Sequence, residues 1–307
     1  LTYAEALFEA MMHRFYEDPT MVAYGEENRD WGGAFAAYRG LTEALPYHRL
    51  FNSPISEGAT VGSGVGYALS GGRAVVELMY CDFMGRAGDE IFNQMAKWQS
   101  MSANVLQMPL VLRVSVGSKY GAQHSQDWTS VVAHMPGLQV MFPATPYDAK
   151  GMMISAIRDD NPVAFFQHKL LGGSKGEVPE EEYCLPFGVA KVAREGKDVT
   201  VVATAKMVHS ALSAAEKLAA DGISVEVVDP RTLCPLDEEG IIESVKKTHR
   251  LVIVHEEVKF AGSGAEIAAM VAEKAFDYLD APILRVAAPF CPVPFSAPLE
   301  QAFIPGE

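Results

Sequence analysis

The sequence predicts an α/β fold of two domains, each a mostly parallel sheet covered by helices on both faces. Three observations carry that reading. The chain has 307 residues, room for two domains at the usual ~100–200 residues each. Short apolar runs of strand length alternate with segments of helical spacing through both halves, the pattern of βα units. Between them, residues 172–198 collapse into Gly, Pro, Glu and Lys, including Glu180-Glu181-Glu182, and read as a linker. The expected domains are therefore 1–171 and 199–307.

In the first domain, apolar residues recur at helical spacing from Tyr3 to Tyr16, and Asp18-Pro19 stops that helix. Met21 to Tyr24 follows as a short strand ending at Gly25. Pro54-Ile55-Ser56-Glu57 precedes a small-residue helix from Gly58 to Leu69, and Ala74 to Met79 reads as a buried strand. Asp89 to Met101 is helical, Leu110 to Val116 and Leu138 to Phe142 are strands, Pro146 to Arg158 is a helix and Val163 to Phe166 a strand. The second domain alternates more regularly. Strands are expected at 199–203, 225–229, 251–255 and 283–286, with helices at 208–220, 237–247 and 265–278.

Composition narrows the function classes. Hydrophobic residues are 49% and charged ones 21%, outside the regime of disorder. With 25 Lys and Arg against 39 Asp and Glu, the net charge of −14 argues against a broad nucleic-acid surface. No window approaches the uninterrupted apolar length of a membrane span. Cys81, Cys184, Cys234 and Cys291 are too dispersed for a zinc knuckle or a disulfide framework, and fit a reducing cytoplasmic compartment. The start at Leu1, with Glu5, Glu9, Glu17 and Asp18 close behind, is unlike a basic signal peptide. It suggests a removed segment or a piece of a longer chain.

Generic motifs fail. Gly62-Ser63-Gly64-Val65-Gly66 has Tyr67 where a dinucleotide fingerprint needs its third glycine, and Gly262-Ser263-Gly264 has Ile267 there. No phosphate loop, nucleophile elbow or HExxH is present.

Longer strings are more specific: Tyr24-Gly25-Glu26-Glu27, Pro54-Ile55-Ser56-Glu57, Asp82-Phe83, Ala122-Gln123-His124-Ser125-Gln126, Pro136-Gly137-Leu138, Asp148-Ala149-Lys150-Gly151 and Ala156-Ile157-Arg158-Asp159. In the second half come Asp229-Pro230-Arg231-Thr232, Pro235-Leu236-Asp237 and Gly262 to Ile267. In this order, over nearly the whole chain, they resemble the beta subunit of the thiamine-diphosphate-dependent decarboxylating component of 2-oxo acid dehydrogenase complexes. The pyruvate, branched-chain and acetoin enzymes belong there.

The resemblance implies two three-layer α/β/α domains, a transketolase-like pyrimidine-binding domain and then a transketolase C-terminal domain. It implies that an alpha subunit, or the front half of a fused chain, holds the diphosphate and Mg²⁺ through a GDG motif. That motif is missing here, since Gly88-Asp89 runs into Glu90. An alpha2beta2 assembly and a lipoyl acyltransferase partner are implied as well.

The cofactor's chemistry needs a carboxyl group on a pyrimidine ring nitrogen in a dry pocket, and Glu57 is the candidate. Its plain alternative is a first-turn carboxylate favoured by the helix dipole. By resemblance Ile55 is an apolar wall, Phe83 the aromatic under the pyrimidine, and Glu26 a second acid that relays protons. Read as bare residues, Phe83 is a core aromatic and Glu26 a loop carboxylate, with Glu27 its decoy. Arg86 stands near the pyrimidine where many relatives carry an uncharged polar residue. His124, on a polar loop, suits stabilising a substrate carboxylate or protonating a lipoyl sulfur, or is simply exposed. The resemblance also implies a structural potassium site at Leu110, Ala156, Ile157, Asp159 and Asn161, for which helix-end capping is the alternative.

Gln167 and Leu171 replace residues that are often Glu and Tyr in such proteins. The chain ends at Glu307, before the last helix that docks the acyltransferase core. The expected function is the beta component of a 2-oxo acid dehydrogenase, with half of a two-part transketolase as the alternative and a non-catalytic scaffold as a third reading. The Ala122–Gln126 string favours the first.

Overall fold

The structure is a computed structural model in which residues 1–306 are described. In chain order its elements are α1 (Tyr3–Glu17), β1 (Val22–Glu26), α2 (Leu41–Ala44), β2 (Leu50–Ser53), α3 (Glu57–Leu69), β3 (Ala74–Leu78), α4 (Ala96–Met101), β4 (Leu110–Val116), α5 (Thr129–Ala133), β5 (Gln139–Met141), α6 (Pro146–Arg158) and β6 (Val163–His168). There follow β7 (Lys191–Arg194), β8 (Val199–Ala203), α7 (Lys206–Ala220), β9 (Val225–Asp229), β10 (Thr232–Cys234), α8 (Glu238–Thr248), β11 (Leu251–Val258), α9 (Ser263–Lys274), β12 (Leu284–Ala288) and α10 (Ala297–Phe303). Two compact units result. One comprises Leu1–Val116 and Val132–Pro186, the other Gly117–Val131 and the chain from Phe187 onward.

Within the first unit six strands run in the order β5-β6-β4-β3-β1-β2, and their pairings are parallel. Every residue of β3, β4 and β6 is buried, as strands covered on both faces require. β1 leads outward to β2 while β3 leads the other way to β4, so the order reverses between β1 and β3. Crevices form at the carboxyl ends of strands at such a reversal.

Two capped helices cover this sheet. A capping box of Thr2 and Glu5 starts α1, and Thr145 with Pro146 at the first helical position starts α6. On α6, Lys150 is fully buried and donates to Glu9 and to the carbonyls of Pro179 and Glu180. That satisfies its three protons.

The second unit's sheet has the order β12-β11-β8-β9-β7, parallel except for β7. Its core is Val202, Val228, Ile241, Val245, Ile253 and Val271 with their neighbours.

The expected linker at 172–198 contains β7, paired antiparallel with β9, so part of it belongs to the second sheet. The loop 117–131 also groups with the second unit, although its sequence position places it inside the first. The helix expected from Asp89 opens as a π-helical stretch at Glu90–Met95 before α4. The helix expected to reach Tyr278 stops at Lys274, with a short 3₁₀ turn after it.

Candidate functional site

Three neighbouring strands deliver the cleft. β1 ends at Glu26, β2 at Ser53 and β3 at Leu78, and the segments leaving them carry the other residues. Past β2 come Ile55, Ser56 and then Glu57, the first residue of α3. Past β3 a 3₁₀ segment, Cys81–Ala87, carries Phe83 and Arg86. Ile55, Ser56, Glu57, Gly58, Phe83 and Arg86 line one cleft of about 490 Å³. Of the residues named from sequence, the structure thus brings together Ile55, Glu57, Phe83 and Arg86, and sets Glu26 at the end of the adjoining strand.

The neighbourhood is held open and firm by packing. Tyr24 on β1 stacks on Phe51 of β2 with ring centroids 4.7 Å apart. Its hydroxyl donates to the Thr60 carbonyl at 3.0 Å and shares a 2.8 Å hydrogen bond with Ser63, which ties β1 to α3. At Gly25 a Cβ would lie 2.8 Å from both the Cβ and the carbonyl oxygen of Glu77, so only glycine fits beside β3. Ile55 remains 82% exposed, and Arg86 is exposed too.

Electrostatics raise the proton affinity of Glu26. Burial pushes its carboxyl above the ordinary range, and the charges of Glu57, Glu77 and Glu27 push the same way. Glu27 itself has a left-handed backbone with φ 56°, and its carbonyl accepts from the N–H groups of Trp31 and Gly33. It belongs to a turn.

Across β3, β4 and β6 of the same sheet runs a buried network that the sequence did not reveal. Glu77 Oε1 accepts the Ala34 N–H at 2.7 Å, and its other oxygen accepts from Arg113. Arg113 also donates to Gln167, and its guanidinium lies 5.1 Å from the centre of the Tyr38 ring. Glu77, Arg113 and Gln167 are each at most 2% exposed. Their signal is faint because each interrupts a strand that otherwise reads as an apolar run.

His124 belongs to the other unit, on the loop 117–131. It is half-buried, and its N–H donates to the Gly121 carbonyl at 3.2 Å.

Part of the set expected to hold potassium makes hydrogen bonds within the protein. The carbonyls of Ile157 and Asp159 accept from Arg73 Nη1 at 2.5 and 2.7 Å, so a guanidinium already supplies the positive charge. Asp159 Oδ1 accepts from the N–H and Nδ2 of Asn161, and Oδ2 from Gln139. Leu110 opens β4 with its N–H on the Met108 carbonyl, and Ala156 lies buried within α6. The turn is capped by its own side chains and clamped by Arg73. Among the described residues no group of three or more His, Cys, Asp or Glu is placed to hold a metal ion.

Two parallel-sheet units, with an acid–aromatic cleft at a strand-order reversal, define a protein of the transketolase class. Residues 1–174 match the family described as the transketolase pyrimidine binding domain, and 188–307 the transketolase C-terminal domain. The chain is 45% identical over 312 residues to the beta subunit of acetoin:2,6-dichlorophenolindophenol oxidoreductase of Cupriavidus necator, covering 98% of this chain and 92% of that protein. It is 45% identical over 309 residues to the pyruvate dehydrogenase E1 component subunit beta of Rickettsia felis, covering 100% and 95%. A solved structure titled split gene transketolase, inactive beta4 tetramer, superimposes with a TM-score of 0.80 at 24% identity over 98% of this chain and 91% of that one. The chain belongs to the family of E1 beta subunits of 2-oxo acid dehydrogenases.

Proposed function

We propose that this chain is the beta component of a thiamine-diphosphate-dependent 2-oxo acid dehydrogenase and supplies the pyrimidine side of a shared active site. The observation that carries the reading is the convergence of Glu57, Phe83 and Ile55 on one open cleft. A carboxyl, an aromatic face and an aliphatic wall suit a flat amino-substituted heteroaromatic ring.

When bound, thiamine diphosphate supplies a carbon nucleophile for the 2-oxo acid carbonyl and an acceptor for the electrons left by carbon dioxide. With the cofactor bound, Glu57 would hold a proton toward a pyrimidine ring nitrogen, a hydrogen bond that exclusion of water from the cleft would strengthen. Phe83 and Ile55 hold the ring by contact. Arg86 brings positive charge to the mouth, and Glu26, with its raised proton affinity, stores a proton one strand away. His124 stabilises a substrate carboxylate or protonates the acyl acceptor.

The partner we infer is an alpha subunit that carries the diphosphate and Mg²⁺ site in an alpha2beta2 assembly, with a lipoyl acyltransferase as acyl acceptor. Support comes from the subunit naming of the relatives and from the exposed apolar wall at Ile55. A reducing cytoplasm is the compartment proposed, supported by four free cysteines.

The test mixes this chain with a GDG-containing alpha chain, thiamine diphosphate and Mg²⁺, and offers a panel of 2-oxo acids and an artificial electron acceptor. Reduction of the acceptor that depends on one of the acids is expected. Ketol transfer between sugars, with no acceptor reduction, would replace the proposal by the transketolase alternative.

A further inference from the structure

β11 continues past His255 to Val258 and thereby carries two adjacent acids, Glu256 and Glu257, into the interior at 5% and 3% exposure. The two reach different parts of the loop 117–131. Glu256 Oε1 accepts the Ser118 N–H at 2.7 Å, at the start of the loop. Glu257 Oε1 accepts the Ser130 N–H and the Thr129 hydroxyl, both at 2.6 Å, at its end. The other oxygen of Glu257 accepts the N–H and hydroxyl of Ser263, each at 2.7 Å, where α9 begins. Four donors thus satisfy the two oxygens of this buried carboxyl group.

Between the two anchors the loop closes on itself. Gly117 N–H donates to the Gln126 carbonyl at 3.1 Å and Tyr120 N–H to Ser125 Oγ at 2.8 Å. Gly121, at φ +79°, makes the bend before His124, and a Cβ there would lie 2.5 Å from the Phe295 ring. Thr129 Oγ1 sits 2.8 Å from Asp127 Oδ1 and 2.6 Å from Glu257 Oε1, with a single hydrogen to give. Burial and the charge of Glu257 push the Asp127 carboxyl well above its ordinary range, and the shorter of the two Thr129 contacts is the one to Glu257.

We propose that Glu256 and Glu257 are positioning residues for the reaction: they pin both ends of the loop that presents His124, and Thr129 is the link through which Glu257 holds the distal end. The proposal rests on the reading of His124 given above.

The test uses the reconstituted alpha–beta complex with Glu257→Gln, Thr129→Val, Thr129→Ser, His124→Ala and the double variant Glu257→Gln/His124→Ala. Amide exchange in 118–130 is expected to accelerate about tenfold in Glu257→Gln and Thr129→Val, with β8 and β9 unchanged. Turnover falls by about tenfold or more while KM for the 2-oxo acid moves little, the signature of a misplaced catalytic group. Thr129→Ser keeps the hydroxyl and restores both readouts. In the His124→Ala background Glu257→Gln has no further effect on turnover. Unchanged loop exchange, or effects of Glu257→Gln and His124→Ala that multiply, would overturn the proposal. Normal turnover in His124→Ala, with loop exchange still accelerated by Glu257→Gln, overturns it through the reading of His124 and leaves the anchoring intact.

Discussion

Replacing Arg113 by Met removes the cation from a carboxylate that has nowhere to go. Glu77 is 2% exposed and keeps only the Ala34 N–H on its other oxygen. Burial already pushes its carboxyl up, held back by Arg113 and by that N–H. In the variant the cheapest arrangement is a neutral acid. From an unfolded value of 4.5, carrying that proton at pH 7 costs about 3 kcal/mol at ~1.36 kcal/mol per pH unit, within the ~3–5 kcal/mol typical of broken buried pairs.

The sign follows from linkage. A group with a raised folded pKa contributes stability that is lost as pH rises above its unfolded value, so the penalty shrinks to about 1 kcal/mol at pH 5.5. Urea unfolding followed by Trp31 and Trp98 fluorescence in a Trp128→Phe background reports on the first unit. Arg113→Met is expected to lose about 3–4 kcal/mol at pH 7, to recover about 2 kcal/mol in acid, and to be rescued in large part by Glu77→Gln. A loss below about 1 kcal/mol at pH 7, or a gap that widens in acid, refutes the reasoning.

Three further outcomes are expected. Glu57→Gln removes a negative charge that raises Glu26, so the Glu26 carboxyl, followed by ¹³C NMR, titrates at lower pH in the variant; no movement would separate the two acids electrically. Gly25→Ala forces a Cβ onto Glu77 and should cost about 1–3 kcal/mol in the same urea assay, with loss of cofactor binding by calorimetry. Arg73→Met frees the carbonyls of Ile157 and Asp159 and leaves Asp18 and Asp160 without their cation, for a loss of about 1–3 kcal/mol in thermal unfolding.

The parts of the fold that were legible are those where one local force dominates. β4, α6, β8 and β9 have the boundaries their sequence predicts, because valine-rich runs and a Thr-Pro helix start leave little choice. β2 and β7 were not legible. Leu50–Ser53 and Lys191–Arg194 are four residues each, with polar or charged members, and pairing with β1 and β9 makes them strands.

In the site, Ile55, Glu57, Phe83 and Arg86 were named from short strings, but only the order β3-β1-β2 shows why they share a cleft. Glu77, Arg113, Glu256 and Glu257 escaped notice because a buried polar side chain is defined by partners far away in sequence. The expected strand end at His255 hid the last two.

The central claim is that Glu57 of this chain completes an active site otherwise held by an alpha partner. It is tested most directly by the rate of 2-oxo-acid-dependent acceptor reduction in complexes reconstituted with wild-type or Glu57→Gln chain, at saturating thiamine diphosphate and Mg²⁺. The account predicts turnover that requires both subunits and falls by about a thousandfold or more in Glu57→Gln, with the complex still assembled, as for loss of an essential proton-transfer group. Turnover within a few-fold of wild type in that variant would contradict it.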